Sequence, residues 1–261
     1  MVDHRHTASM FASRGAGLSS ARSTEERACL MHELVLRGVP VPGGTRGDHP
    51  LAWLPLTRSS LEEHVDLPEY EDDGHAIYTR PQGPTGGRTV VAGAQVPVAT
   101  ETACPKHTTA AVDGWTEGSN GCIEARGFEF AEPLDVELLP NVLLSLGLQC
   151  TDGETKRFWV ADSTPAEVWR TLFAASSLGG ACNAGAYGAY GRLAAWRSLA
   201  GLVGLEESAS AAEVESRAGE WSWYQFDPET CWFEGVDWDL AVVAVSPDRT
   251  SLTVLAATDT D

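Results

Sequence analysis

Residues 240–258, LAVVAVSPDRTSLTVLAAT, place two apolar runs on either side of a Ser-Pro-Asp sequence. Proline and aspartate are common turn residues, so the pattern predicts a β-hairpin with its turn near Pro247 and Asp248. Neither run alternates strictly between apolar and polar residues, which is typical of strands that are buried on both faces. We therefore predict that this hairpin is the central strand pair of a sheet.

Other stretches also have the alternation or the short apolar runs of strands. They are TVVAG (89–93), QVPVAT (95–100), CIEARGFEFA (122–131), KRFWVAD (156–162) and WSWYQFD (221–227). Pro97 has no backbone N–H, which predicts an edge position for its strand. The strands do not alternate regularly with helices. The fold class is therefore predicted to be α+β, with a mixed or antiparallel sheet packed against several helices.

Helices are indicated by capping residues that precede apolar residues at helical spacing. The clearest start is TPAE at 164–167, and its helix is predicted to end at Gly179. A second helix is predicted over 189–203, so that the two helices enclose a glycine-rich loop. Further helix starts are predicted at Ser23–Glu26, at Ser60–Glu63 (running to about Val65), at Pro140 and within 210–218.

The domain organisation is predicted to be simple. A chain of 261 residues suits one large domain, which we assign to residues 21–261. Residues 1–20 are small and polar without a period, which predicts a disordered tail. The stretch RPQGPTGGR at 80–88 is rich in glycine and proline and is the best candidate for a linker.

The charge balance is strongly acidic. Eighteen Lys and Arg against 37 Asp and Glu give a net charge of −19. Such a surface repels phosphate backbones and anionic membranes, so we predict no nucleic-acid and no membrane partner. It attracts basic proteins, which makes a basic protein the candidate partner. The plain alternative is an acidic, soluble surface without any partner, and the oligomeric state stays open.

The cysteines and residues 1–20 indicate the cellular compartment of the protein. The six cysteines are scattered and none has CxxC spacing, so a disulfide scaffold is not indicated. Residues 1–20 lack the apolar core of a signal peptide. These features predict free thiols in a reducing cytoplasm.

Catalytic and metal-binding signatures are weak. Cys104 and His107 have a spacing that suits half of a zinc site, but no fourth ligand is evident, so we expect no metal and no cofactor. Cys182 is the best-placed thiol for a Cys–His pair, yet no motif accompanies it. The chain has no GxSxG elbow. We therefore predict no catalytic residue, and an enzyme is less expected than a binding protein.

The glycine-rich stretch GGACNAGAYGAYGRLAAWRSLAGLVG covers residues 179–204. It does not follow a strand and has no Lys-Ser/Thr after its glycines, so it fits neither a dinucleotide fingerprint nor a P-loop. Residues 179–192 are predicted either to line a ligand or partner site or to let two helices pack closely. The candidate binding side chains are Tyr187, Tyr190, Arg192, Trp196 and Arg197. In the packing alternative, the arginines pair with carboxylates.

A second candidate surface is FDPETCWFEGVDWD at 226–239, where acids interleave with aromatic rings. Such a mixture binds sugars or cations, or forms an acidic docking face for a basic protein. The alternative is a sheet edge with solvated acids and buried rings. The candidate binding residues are Trp232, Asp237, Trp238 and Asp239.

The chain resembles an actinobacterial family that is catalogued only as a domain of unknown function, number 6183. The resemblance rests on TPAEVWRTLFAAS (164–176), GGACNAGAYGAYGRLAAWRSLAGL (179–202) and the terminal VLAATDTD (254–261), and it covers about 20–261. It implies a cytoplasmic bacterial protein without an established activity. The family supplies no catalytic residues for this chain.

Two functions follow as predictions. The first is a non-enzymatic, acidic protein that binds a basic partner in the manner of toxin-neutralising immunity proteins. Its support is the net charge, the nine tryptophans and the lack of catalytic signatures. The alternative is a small-molecule enzyme or sensor whose pocket forms at the glycine-rich loop 179–192.

Overall fold

The structure is a computed structural model that describes residues 21–41, 49–63, 87–153, 158–233 and 238–260. The predicted tail at 1–20 lies outside these residues. So does the predicted linker, except for its last two positions, which lead into the first strand.

The described residues form one seven-stranded sheet in which every neighbouring pair is antiparallel. The strand order across the sheet is β1-β4-β5-β6-β7-β3-β2. The strands are β1 (Arg88–Thr89), β2 (Ala99–Thr102), β3 (Cys122–Phe130), β4 (Phe158–Ser163), β5 (Ser222–Pro228), β6 (Asp239–Val245) and β7 (Ser251–Thr258).

The terminal hairpin is the centre of this sheet, as predicted. Strand β6 lies between β5 and β7, and Val242 pairs with Leu255. Alternate residues of β6 enter opposite cores, with Val242 on one face and Val243 on the other. The turn is held by Asp248, whose carboxylate accepts hydrogen bonds from the Ser246 hydroxyl at 2.6 Å and from the Thr250 amide at 3.1 Å. Burial on both faces explains why neither run alternates.

Helices cover both faces of the sheet, and the fold is α+β because the sheet is antiparallel and its strands do not alternate regularly with helices. The helices are α1 (Ala21–Leu36), α2 (Leu139–Ser145), α3 (Pro165–Leu178), α4 (Tyr187–Leu202) and α5 (Ala211–Glu220). Helices α1, α3, α4 and α5 pack on one face and form what we call the helical core. Helix α2 and its flanking segments pack on the other face and form the α2 core. The predicted helix–glycine-rich loop–helix unit is α3, its loop and α4.

The capping predictions have mixed outcomes. Thr164 and Glu167 form the expected capping box of α3, and α2 begins next to Pro140 as expected. The predicted cap at Ser23 is wrong, because α1 already begins at Ala21. The predicted box of Ser60 with Glu63 is displaced by one residue, since Ser59 and Glu62 make it and open a single 3₁₀ turn. The sequence SSLEE satisfies both registers, so local pattern does not choose between them.

The two edge strands are shorter than predicted. Strand β1 has two residues, and Val91 beyond it is bound through both its N–H and its C=O by the side-chain amide of Asn141, at 2.9 Å each. The chain then crosses from β1 at one edge to β2 at the other. Pro97 lies just before β2, which agrees with its predicted edge position. Among the described residues, no helix is long and apolar enough to cross a membrane.

Candidate functional site

The glycines of the 179–204 stretch bring α3 and α4 into backbone contact. A Cβ placed on Gly191 would lie 2.9 Å from the Cα of Ser177, and one on Gly185 would lie 2.1 Å from the Ser177 carbonyl oxygen. The Ser176 hydroxyl donates across the same gap to the carbonyl of Gly191 at 2.9 Å. Only glycine leaves room for this approach. The packing alternative considered for this stretch is therefore what its glycines do.

Arg192 points away from solvent into the helical core, where it pairs with Glu62. Both side chains are 0% exposed. The guanidinium meets the carboxylate in a fork, with Nε 2.6 Å from Oε1 and Nη2 2.8 Å from Oε2. It also donates to the carbonyls of Pro55 at 2.9 Å and Thr57 at 3.1 Å. A charge this deep is tolerable only because its donors are matched by acceptors.

The other hydrogen-bonding atoms of the Arg192–Glu62 pair also have partners. The Trp196 indole donates to Oε1 of Glu62 at 2.7 Å, and the Ser59 amide donates to Oε2 at 2.9 Å. Nη1 of Arg192 lies 2.9 Å from Nδ1 of His32. Burial, followed by the charge of Arg192, lowers the pKa of His32 to about 4, so the imidazole is neutral and accepts this hydrogen bond. Arg192 and Trp196 are therefore committed to internal partners.

Other candidates of the same stretch face outward. Tyr187 is 58% exposed and adopts a positive φ of 55°, which is unusual for a residue other than glycine. The Tyr190 hydroxyl donates to Glu25 of α1 at 2.7 Å and lies 3.3 Å from Nε2 of His49. Arg197 is half-buried and pairs with Glu207 at 3.2 Å. The five side chains therefore do not converge on one cleft.

The N-terminus of α4 is capped by the carboxylate of Glu33, which belongs to α1. The helix has no side-chain cap of its own, and the Ala189 amide donates to Glu33 of α1 at 3.2 Å. A Cβ at Gly188 would overlap the Glu33 carboxylate, so this glycine admits the acid. Arg37 holds the other oxygen of Glu33 at 2.6 Å. The carboxylate thus occupies the position where an anionic ligand would meet the helix N-terminus.

The second predicted surface is divided between the two faces of the sheet. Trp232 packs against the α2 core, where it meets Phe233 edge to face with ring centroids 4.6 Å apart. Trp238 packs against the helical core. Asp239 is buried and accepts a hydrogen bond from the Thr258 hydroxyl at 2.6 Å. Asp237 lies outside the described residues.

The ending ATDTD suggests a frayed terminus or a site for a hard cation, yet Asp259 is 1% exposed just after β7. Its carboxylate accepts hydrogen bonds from the Ala181 amide, at 2.7 Å, and from the Ser119 hydroxyl. It therefore ties the glycine-rich loop to the central hairpin. No local signal identifies it, because an acid two residues from the chain end resembles a frayed terminus. The sequence indicates Glu62 only as one of two possible capping acids, because SSLEE allows a box of Ser59 with Glu62 or of Ser60 with Glu63.

The possible metal and thiol groups have other partners. His107 is hydrogen-bonded to the carbonyl of Leu205 at 3.0 Å, and the Cys104 thiol donates to Thr108 at 3.3 Å. Burial raises the pKa of the Cys104 thiol, which disfavours a thiolate. Cys182 is exposed. Within the described part of the chain, no three His, Cys, Asp or Glu side chains are grouped so as to hold a metal ion.

These features define a class of protein: an α+β protein with one antiparallel sheet between helices and a closed polar network at its glycine-rich segment. The chain belongs to the family of unknown function DUF6183, which matches residues 2–261. This confirms the family that the sequence resembles. No curated protein and no solved structure matches the chain.

Proposed function

We propose that this protein is an acidic, non-enzymatic binding protein that docks a basic protein partner, as toxin-neutralising immunity proteins do. The observation that carries the proposal is the distribution of charge over the described surface. The described residues include many exposed carboxylates and few exposed cations. The exposed acids are Glu25, Glu26, Glu63, Glu101, Asp113, Glu117, Glu129, Glu132, Asp135, Glu137, Asp152, Asp162, Glu167, Glu206, Glu207, Glu213, Glu220, Glu229 and Asp248. The exposed cations are Arg27, Arg37, Lys106, Arg217 and Arg249.

Two arginines do not offset this surface because internal acceptors use them, whereas Arg88 bridges the exposed Glu137 at 3.1 Å and Asp162 at 3.0 Å and offsets part of their charge. Arg58 donates to the carbonyl of Glu62 at 2.7 Å. Arg192 is buried altogether. A surface left this negative steers positively charged proteins toward it and raises their association rate.

The geometry of the glycine-rich loop favours this proposal over the enzyme or sensor alternative. Its cationic and indole groups, Arg192 and Trp196, are bound internally. The cavity against Gly179 and Trp238 has a volume of about 10 Å³. That is room for about one water, whereas small-molecule pockets occupy about 300–1,000 Å³.

The experiment is affinity purification with chemical crosslinking from the source cells, followed by reconstitution of the purified pair. We expect a basic partner whose affinity falls steeply between about 20 mM and about 500 mM salt, because added ions screen the carboxylates. A neutral osmolyte is the control and should leave the affinity unchanged. An uncharged or acidic partner, or an affinity insensitive to salt, contradicts the proposal.

We also infer a cytoplasmic location in an actinobacterial cell. The support is that none of the six cysteines takes part in a disulfide bond, which suits a reducing compartment. Cell fractionation with an antibody against the chain tests the location. Recovery from the culture medium or the envelope fraction contradicts it.

A further inference from the structure

The edge formed by β2 is open for another strand. Strand β2 pairs with β3 on one side, and no described strand lies on its other side. Natural edge strands are commonly blunted by shortness, by charged side chains, especially lysine, by proline or by a bulge. Strand β2 is short and carries one charge, Glu101, but Ala99–Thr102 contains no lysine and no proline. Within the part of the chain that the structure describes, no strand pairs with the outward N–H and C=O groups of β2, and these are the groups that an incoming backbone would bind.

A groove accompanies this edge on the α2 side of the sheet. It has a volume of about 360 Å³. Phe128 and Arg126 of β3 form its floor, and Leu146 at the end of α2 forms one wall. The other wall is the segment 96–99, which includes Val98, the most exposed large apolar side chain of the described residues at 89%.

The groove is placed where a peptide strand would put its side chains. Ala99 and Glu101 alternate along β2 and both line the groove. Side chains of neighbouring strands point to the same face at paired positions, so every second residue of an added strand would enter it. In such recognition, main-chain hydrogen bonds supply affinity and the pockets for alternate side chains supply specificity.

The charge around the groove selects a basic occupant. Glu101 is 54% exposed and shares its carboxylate with Arg126, at 2.9 Å and 2.6 Å. Arg126 also lies 3.7 Å from Glu124, so two carboxylates face one guanidinium. Glu132 is exposed just beyond β3, and Glu129 is exposed on the opposite face of the sheet, since it alternates with Phe128 and Phe130. A second copy of this chain, which carries −19, would be repelled.

We propose that an extended segment of the basic partner adds to β2 as a further strand and inserts an apolar side chain into this groove. The inference rests on the proposed function and names the surface that performs it. The partner segment alternates apolar residues, which enter the groove near Glu101, with lysine or arginine, which point to the opposite face of the sheet where Glu129 is exposed.

The test uses three short synthetic peptides with the full-length protein. One alternates lysine and valine, the second alternates lysine and proline, and the third alternates glutamate and valine. Proline removes the backbone N–H that a strand must donate, so the second peptide keeps the charge but cannot pair. We expect the Lys-Val peptide to bind at least about tenfold more tightly than the others. It should also slow amide exchange in β2.

Two variants locate the binding. Val98→Lys places a cation at the mouth of the groove and should weaken the Lys-Val peptide at least about fivefold. Val91→Lys is the matched control, because Val91 is also exposed, at 48%, and the change in charge is the same. It lies near the opposite edge, across six strand spacings or roughly 29 Å. Unchanged thermal unfolding of both variants shows that they fold.

The outcomes separate this inference from the proposed function. Tight Lys-Val binding that Val98→Lys and Val91→Lys affect equally overturns the β2 site and leaves a basic partner in place. Equal binding of the Lys-Pro peptide does the same, because charge alone then explains it. A self-associated protein in sedimentation, with β2 protected before any peptide is added, makes a second copy the occupant. Failure of every basic peptide to bind overturns the β2 site, while the salt dependence of the purified pair decides the proposed function separately.

Discussion

Two arginine–glutamate pairs with the same forked geometry lie in opposite environments of this protein. Arg192 and Glu62 are 0% exposed, and their side-chain oxygens and nitrogens also bind Trp196, His32 and backbone groups. Arg126 and Glu101 are 24% and 54% exposed at the β2 edge. The first pair holds α4 to the 3₁₀ turn Ser60–Glu62. The second lines a groove that is open to a partner.

Burial, and not the residue types of the pair, decides how much each ion pair contributes to stability. In the interior a missing partner leaves a desolvated charge, which is strongly destabilising. At the surface, water and salt replace the missing partner at little cost. A surface pair is therefore free to exchange partners, and a buried pair is not.

The largest expected effect comes from opening the buried pair. Glu62→Gln should lower the free energy of unfolding by about 3–5 kcal/mol, because Arg192 keeps its charge without a counter-ion. Urea unfolding measures the change. The control is Glu63→Gln, which makes the same replacement at the next residue. Because Glu63 is exposed, it should change the free energy of unfolding little. Equal stability of both variants would show that the interior pair is worth no more than a surface acid.

Acid should also weaken the buried network through His32. The pKa of His32 is about 4 in the folded chain against 6.5 for an unperturbed histidine, so the unfolded chain takes up the proton first as pH falls. The contribution of His32 to the free energy of unfolding is fully present above about pH 6.5. It decreases toward pH 4, by up to about 3 kcal/mol.

Urea unfolding of wild type and His32→Asn over this range checks the pH prediction. Asparagine offers Arg192 an acceptor that does not titrate, so the variant should lose the part of the slope that belongs to His32. Carboxylates titrate in both proteins and cancel in the comparison. Parallel pH profiles would contradict the assignment to His32.

A smaller effect is expected at the contact between α3 and α4. Gly191→Ala should destabilise the protein by about 1–3 kcal/mol, because the new methyl would meet the Ser177 Cα at 2.9 Å. Gly219→Ala in α5 has open space around it and should stabilise by about 0.5–1 kcal/mol. Thermal unfolding of the two variants should therefore shift in opposite directions, and a shared direction would contradict the close-packing role.

The smallest effect is expected at the open pair. The Arg126 guanidinium hydrogen-bonds Glu101 and holds the pKa of that carboxyl below its usual value, yet the group stands in solvent. Glu101→Gln should leave the urea midpoint nearly unchanged, and high salt should remove any remaining difference. A loss as large as that of Gly191→Ala would mean that the groove is part of the folded core.

Much of the fold was predictable because its signals are local. In the hairpin at 240–258, Pro247 and Asp248 predict the turn. The continuous apolar runs predict its central position in the sheet. The cap at Thr164 to Glu167 needs only four neighbouring residues. Edge position followed from Pro97. Each of these signals acts within a few residues, which is the range over which a sequence pattern has physical meaning.

The candidate site was predictable only as a set of residue types. The pattern at 179–192 identified glycines that permit close approach of two helices. It also identified residue types that are enriched at binding sites. It could not tell that Arg192 turns inward and Tyr187 outward, although they are five positions apart. The partner of Arg192 lies 130 residues earlier in the chain, and no local rule connects them.

By itself, then, the sequence determined the strand pattern, the main helix caps, the acidic charge and the family of this protein, since composition and short-range pattern carry them. The tertiary structure decided the rest. It selected Glu62 over Glu63, buried Asp259 near the chain terminus, separated Trp232 from Trp238, and left β2 open. These outcomes depend on which distant surfaces meet, because burial converts a hydrated charge into one that must find a partner.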